Sequence, residues 1–158
     1  MTSSGNGVVP GERWGEVLRD ATTEVFSMMV GAEITLSEAA GPPSLPSVTG
    51  TVGIAGAITA IFTLRCSTQS ATRIASQMLG VSADDAASHN CDAVGEVCNI
   101  VAGHFKAKVG LGDKCMLSVP TVITGGDYRI LPPAGGERLK LPLLYAGEPV
   151  WISLDIRK

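Results

Sequence analysis

Asp92, Glu96 and Asn99 stand four and three residues apart in the stretch Asp92-Ala-Val-Gly-Glu96-Val-Cys-Asn99. At about 100° per residue they share one narrow stripe of an α-helix, and Gly103 lies one turn further along it. Val94, Val97, Cys98, Val101 and Phe105 fall on the opposite side. The helix therefore carries one apolar stripe for a core and a separate stripe of two carboxylates, a carboxamide and a position without a side chain. Such a stripe suits close approach by another molecule, and the amide can both donate and accept hydrogen bonds. From spacing alone a solvated polar face is the plainer reading, because Glu-x-x-Asn is a common tetrapeptide. Three features weigh against it. Asn in mid-helix costs roughly a few tenths of a kcal/mol. Gly95 and Gly103 are poorer helix formers still, and they leave room for contact. A Val-Pro pair at Val119-Pro120 also follows the helix, echoing Leu45-Pro46 earlier in the chain.

Other chemistries lack their residues. The sequence has no P-loop, no G-x-S-x-G and no H-E-x-x-H, and Gly53 and Gly56 do not complete a dinucleotide fingerprint. His89 and His104 are the only histidines, with no cysteine or carboxylate pattern to make a metal site; His104 reads as a boundary residue. A net charge of −3 and 4% aromatic residues argue against a nucleic-acid partner. Cys66, Cys91, Cys98 and Cys115 show no C-x-x-C spacing and read as reduced thiols. The N-terminus has neither a basic segment nor a hydrophobic run, so no signal peptide is expected. The most apolar stretch, residues 52–64, is shorter than the ~20 residues of a membrane span. A cytoplasmic location without membrane contact is the expectation.

A chain of 158 residues, 45% hydrophobic and 17% charged, can bury a core as one domain. Residues 1–10 are expected to form a flexible tail and residues 11–158 a single domain. Trp14, Val17, Leu18, Ala21, Val25 and Met28 repeat at helical spacing, with Gly31 as the stop. Residues 33–38 alternate like a strand. Residues 48–66 read as two strands turning near Gly53 and Gly56, with Ile58, Ala60, Phe62 and Leu64 on one face. Ser67 or Thr68 caps a helix that ends at Gly80, and Ser82 resembles the start of a capping box. The long helix spans residues 89–109. Strands are expected at 115–124, 128–131, 139–145 and 150–156, with a turn at 146–149. The fold class is α/β, in a layered α+β arrangement.

The stripe has a counterpart earlier in the chain. Asp20-Ala-Thr-Thr-Glu24-Val-Phe-Ser27 and Gly31 repeat the Asp, Ala, Glu, Val and Gly of residues 92–103 in register, but Ser27 stands where the second copy has Asn99. Each half reads as a helix, a proline-marked segment and strands, which makes the chain an internally duplicated unit with pseudo-twofold symmetry.

Asp92-x-x-x-Glu96-x-x-Asn99, followed by Ile100-Val-Ala-Gly103 and by Ser118-Val-Pro120, resembles the signature of the CheC/CheX/FliY chemotaxis phosphatases. The resemblance runs from about residue 12 to 158. Within that family the chain is most similar to the CheX branch, which carries the Glu-x-x-Asn pair in its second half only. The spacing from Asn99 to Pro120 is slightly shorter than is usual in the family. The resemblance implies hydrolysis of the phosphoaspartate of a CheY-like response regulator. Asn99 would position the attacking water and Glu96 would pair with a lysine of the regulator. Asp92, Gly103 and Pro120 would belong to the partner-binding surface, Asp92 as a peripheral contact or a helix N-terminal charge. No cofactor is expected in this chain; a Mg²⁺ ion would reside in the partner. The resemblance also implies a homodimer joined through its sheets. Two alternatives remain: a non-catalytic module that docks on or sequesters receiver domains, and a structural protein akin to flagellar switch components.

Overall fold

The computed structural model describes residues 12–126, 128 and 135–157. Helix α1, Glu12–Val25, runs into a π-helical turn, Phe26–Val30. Strands β1, Ile34–Leu36, β2, Ser47–Gly56, and β3, Thr59–Ser67, follow. Next come helix α2, Thr68–Leu79, a short α3, Ala83–Ala86, and the long α4, Asn90–Lys108. The chain closes with β4, Cys115–Leu117, β5, Thr121–Gly125, β6, Glu137–Tyr145, and β7, Glu148–Arg157.

The strands make one seven-stranded antiparallel sheet in the order β1-β6-β7-β3-β2-β4, with β5 also paired to β2. The β2–β3 hairpin of the first half and the β6–β7 hairpin of the second meet at the sheet centre, where Leu64 faces Ile152. Each half also places its outer strands beside the other half's hairpin: β1 flanks β6, while β4 and β5 flank β2. Thus each outer strand borders the hairpin of the opposite half, an arrangement suited to a twofold repeat. The proline echo does not share it. Pro46 leads into an inner strand, whereas Pro120 leads into β5 at the sheet edge.

Period-2 alternation puts Ala60, Phe62 and Leu64 of β3 and Ile152, Leu154 and Ile156 of β7 on the face covered by helices. The opposite face carries Thr63, Arg65, Trp151 and Lys140, as the alternation requires. α4 packs against α1, α2 and β2, and is the central element of the helical layer. It packs tightly on the sheet at Gly50, where a Cβ would lie 2.5 Å from Cys98 Sγ and 3.1 Å from Val94 Cγ1.

Caps fall where expected. Ser67 Oγ accepts from Ser70 N, Ser82 Oγ accepts from Asp85 N, and Gly31 and Gly80 end their helices in the left-handed conformation. Several boundaries differ from the sequence reading. Met28 is 74% exposed, because the π turn rotates the helix end and buries Phe26 and Val30 instead. The first hairpin turns at Ala57 and Ile58, beyond Gly56. The second turns on Ala146 and Gly147 alone, both at positive φ, so Glu148 and Pro149 already belong to β7. The single strand expected at 115–124 is broken at residues 118–120. Tyr128 is not in a strand, and residues 129–131 lie outside the described residues, as does the expected tail at 1–10.

Gly50 sets how deeply α4 sits. Gly50→Ala is expected to destabilise the fold by about 1–3 kcal/mol, the usual cost of overpacking. Adding Cys98→Ala should recover part of that loss. Denaturant titration of the single and double variants checks it; equal losses in both would contradict the contact.

Candidate functional face on helix α4

α4 is not held by its own propensity, since two glycines weaken it. Both ends are fixed from outside. The Asn90 side-chain amide donates to Thr72 Oγ1 of α2 at 3.3 Å. At the other end Lys106 Nζ donates to the carbonyls of Gly112 at 3.0 Å and Cys115 at 2.9 Å, tying the helix to the entry of β4. Asp92 lies in the first turn and Lys106 and Lys108 in the last, the signs that the helix dipole favours. The helix-dipole role thus accounts for Asp92 without any partner.

The structure brings Asp92, Glu96, Asn99 and Gly103 onto one side of α4, but the stripe is tilted. Asp92 and Glu96 are exposed, whereas Asn99 and Gly103 are half-buried toward the edge of the sheet. There the helix meets the β4–β5 segment. A Cβ on Gly95 would lie 3.3 Å from Val122 and 3.6 Å from Pro120, and one on Gly103 would lie 3.8 Å from Leu117. Asn99 is one turn from each glycine, so residues 118–119 stand opposite it. Gly103 faces Leu117 of its own chain, and Pro120 shapes the backbone against Gly95. Among the described residues the Asn99 amide has no hydrogen-bond partner, and Glu96 has neither a hydrogen bond nor an ion pair. A free amide thus lies beside a free carboxylate, one turn apart.

A depression of about 570 Å³ lies on the far face of the sheet, lined by Arg65, Lys140 and Trp151 among others, and none of the stripe residues borders it. Among the described residues no group of His, Cys, Asp and Glu could hold a metal ion, and no helix is long and apolar enough to cross a membrane. A helix face with an exposed carboxylate beside a half-buried amide suits a substrate that brings its own pocket.

The model of a known family, described as chemotaxis phosphatase CheX, matches residues 48–144, more than half of the chain and all of the stripe. The chain belongs to the CheX family. No curated protein matches it. Among solved structures, a CheC-like superfamily protein from Shewanella sp. PV-4 is similar at 18% identity, with a TM-score of 0.78 over 94% of this chain and 100% of that one. Chemotaxis protein CheX from Desulfovibrio desulfuricans is 22% identical, with a TM-score of 0.75 over 92% and 99%. A CheX–CheY–BeF3–Mg²⁺ complex from Borrelia burgdorferi gives 24%, 0.70, 92% and 98%. These likenesses establish the CheX-like fold.

The first copy of the motif is built differently from the second. Glu24 is bound to Lys108 of α4 at 2.8 Å and faces His104 Nδ1 at 3.8 Å. The Lys108 hydrogen bond and charge hold its carboxyl below the ordinary 4.5. Ser27 lies in the π turn, so Glu24 and Ser27 do not have the α-helical relation of Glu96 to Asn99. The identity of residue 27 was legible in the sequence; the wider turn was not.

Four features of the face were missed in the sequence: Gly50, Gly95 as a contact for Pro120, Ser118 and Val119. Each depends on which strand faces α4, which no spacing within the helix reveals. Cys98, next to Asn99, points the other way. It is fully buried, and burial pushes its thiol well above the usual range; burial likewise pushes Cys66 up to about 12. Because the thiolate is the reactive form, both should resist alkylation by iodoacetamide in the native protein at neutral pH and react only after unfolding. Mass spectrometry of labelled peptides checks this; rapid native labelling of Cys98 would contradict its placement.

Proposed function

We propose that this CheX-family chain hydrolyses the phosphoaspartate of a CheY-like response regulator, with Asn99 and Glu96 as the working pair. The observation that carries the reading is the Asn99 amide, without a hydrogen-bond partner among the described residues, with a carboxylate likewise unpaired among them one turn away. The Borrelia burgdorferi relative, solved as a complex of CheX with CheY, supports the choice of partner.

The division of labour follows from charge. The receiver supplies the acyl phosphate and a Mg²⁺ ion, so this chain need only position water and hold the docked geometry. The Asn99 side chain would hydrogen-bond a water in line with the phosphorus. The water oxygen forms the new P–O bond as the bond from phosphorus to the aspartyl oxygen breaks. The aspartate leaves as a carboxylate, and the water protons end on phosphate and solvent. A neutral amide suits this place because it orients water without repelling the phosphoryl oxygens. Glu96, exposed on the crest, would pair with a lysine of the receiver and align the two proteins; Asp92 extends that acidic surface.

The test is phosphate release from receiver domains phosphorylated by a small-molecule donor with Mg²⁺. Asn99→Ala should lower kcat by about two orders of magnitude or more, the scale of removing one preorganised hydrogen-bonding group. Glu96→Gln should act mainly on KM. A wild-type protein that binds a phosphorylated receiver without accelerating release would favour a purely sequestering module.

The first helix makes a second prediction. Ser27→Asn in an Asn99→Ala background should restore no activity, because residue 27 sits on a π turn and Glu24 is held by Lys108. Recovery of phosphate release would show that the first face can act after all.

A further inference from the structure

The edge strand beside Asn99 contains one residue too many. Thr121 pairs with Thr51 and Leu117 with Ile54. Two residues of β2 therefore face three residues of the edge strand, 118, 119 and 120, which is a β-bulge. Its outer members are locked. Ser118 N–H donates to the Gly53 carbonyl at 2.9 Å, and Gly53 N–H donates to Ser118 Oγ at 2.8 Å. The Ser118 hydroxyl donates in turn to the Val119 carbonyl at 3.1 Å. Pro120 lies against Gly95 of α4. Val119, held between them, is 84% exposed, the most exposed large hydrophobic side chain among the described residues.

The position makes that exposure informative. The contacts of Gly95 with Pro120 and of Gly103 with Leu117 bracket Asn99, and Val119 stands on the segment opposite it. Met116, 79% exposed, lies a few residues earlier on the same edge. A single exposed apolar residue is ordinary on a protein surface. Here it is β-branched, with little rotamer freedom to lose, and its backbone is fixed on both sides. It also lies on the edge segment between Leu117 and Pro120, which face Gly103 and Gly95, the two glycines one turn either side of Asn99. Bulges next to functional sites commonly redirect a side chain.

We propose that Val119 is an apolar docking residue: it seats in a hydrophobic hollow of the receiver domain beside the phosphorylated aspartate. This rests on the phosphatase reading above. The partner it fits has a cation for Glu96 and an apolar recess on the adjacent side of the same pocket. Val119 is a positioning residue and does not touch the reacting atoms.

The experiment compares wild type, Val119→Asp, Val119→Leu and Asn99→Ala for phosphate release and for binding to receiver domains loaded with beryllofluoride and Mg²⁺. Val119→Asp should raise KM and weaken binding by about tenfold or more, the scale of losing one interface hot-spot contact. Its kcat at saturation and its thermal midpoint should stay close to wild type. Val119→Leu should restore most of the affinity, and Asn99→Ala should lose kcat while keeping its binding. Unchanged KM and binding in Val119→Asp would overturn the docking role and leave the phosphatase reading intact. Weakened binding in Val119→Asp, with no catalysis by wild type, would sustain the docking role and sink the phosphatase. Failure of wild type to bind any loaded receiver would overturn both.

Discussion

The closeness of α4 to the sheet governs the rest of the molecule. Gly50 lets Cys98 and Val94 press onto the β2 backbone, and at the sheet edge Gly95 lets Pro120 and Val122 meet the helix. The two approaches hold the helix on adjacent sides of its axis. What remains free is the sector between the edge strand and solvent, and Asn99 and Glu96 occupy it. Shallower seating would lift Asn99 away from the bulge, and a bulkier contact at Gly95 would push the two elements apart.

Apolar burial and polar exposure are thereby separated within one helix. Val94, Val97, Cys98, Val101 and Phe105 are all fully buried, and this anchors α4 despite its glycines. The ties from Asn90 and Lys106 use backbone and hydroxyl partners outside the stripe. Asn99 and Glu96 are therefore spared structural duty. The first helix takes the opposite course: Glu24 is spent on a bridge to Lys108, and the π turn carries Ser27 out of the motif geometry. The first helix thus braces the second.

A partly exposed helix face has consequences for chemistry. The face presents an exposed carboxylate and a half-buried amide. It suits a reaction whose charged centre already lies in another protein's pocket, where one well-placed hydrogen-bonding group decides the rate. This is why the CheX family match and the geometry point the same way although the solved relatives named above are each less than a quarter identical to the chain.

Much of this was legible in residue spacing. Helical periodicity located α4 and separated its core stripe from its polar stripe, because both depend only on 3.6 residues per turn. Ser67, Ser82, Gly31 and Gly80 marked helix ends, because capping is local chemistry. Alternation identified the buried face of β3. What stayed hidden were relations between segments distant in the chain. The bulge at residues 118–120 exists only relative to the register of β2, so a continuous strand was the natural reading of 115–124. The half-burial of Asn99 and Gly103, the exposure of Val119 and the capture of Glu24 by Lys108 all arise from which surfaces face each other. The order of side chains along the chain determines what each element can present; only the packed fold decides which of those groups are left without a partner.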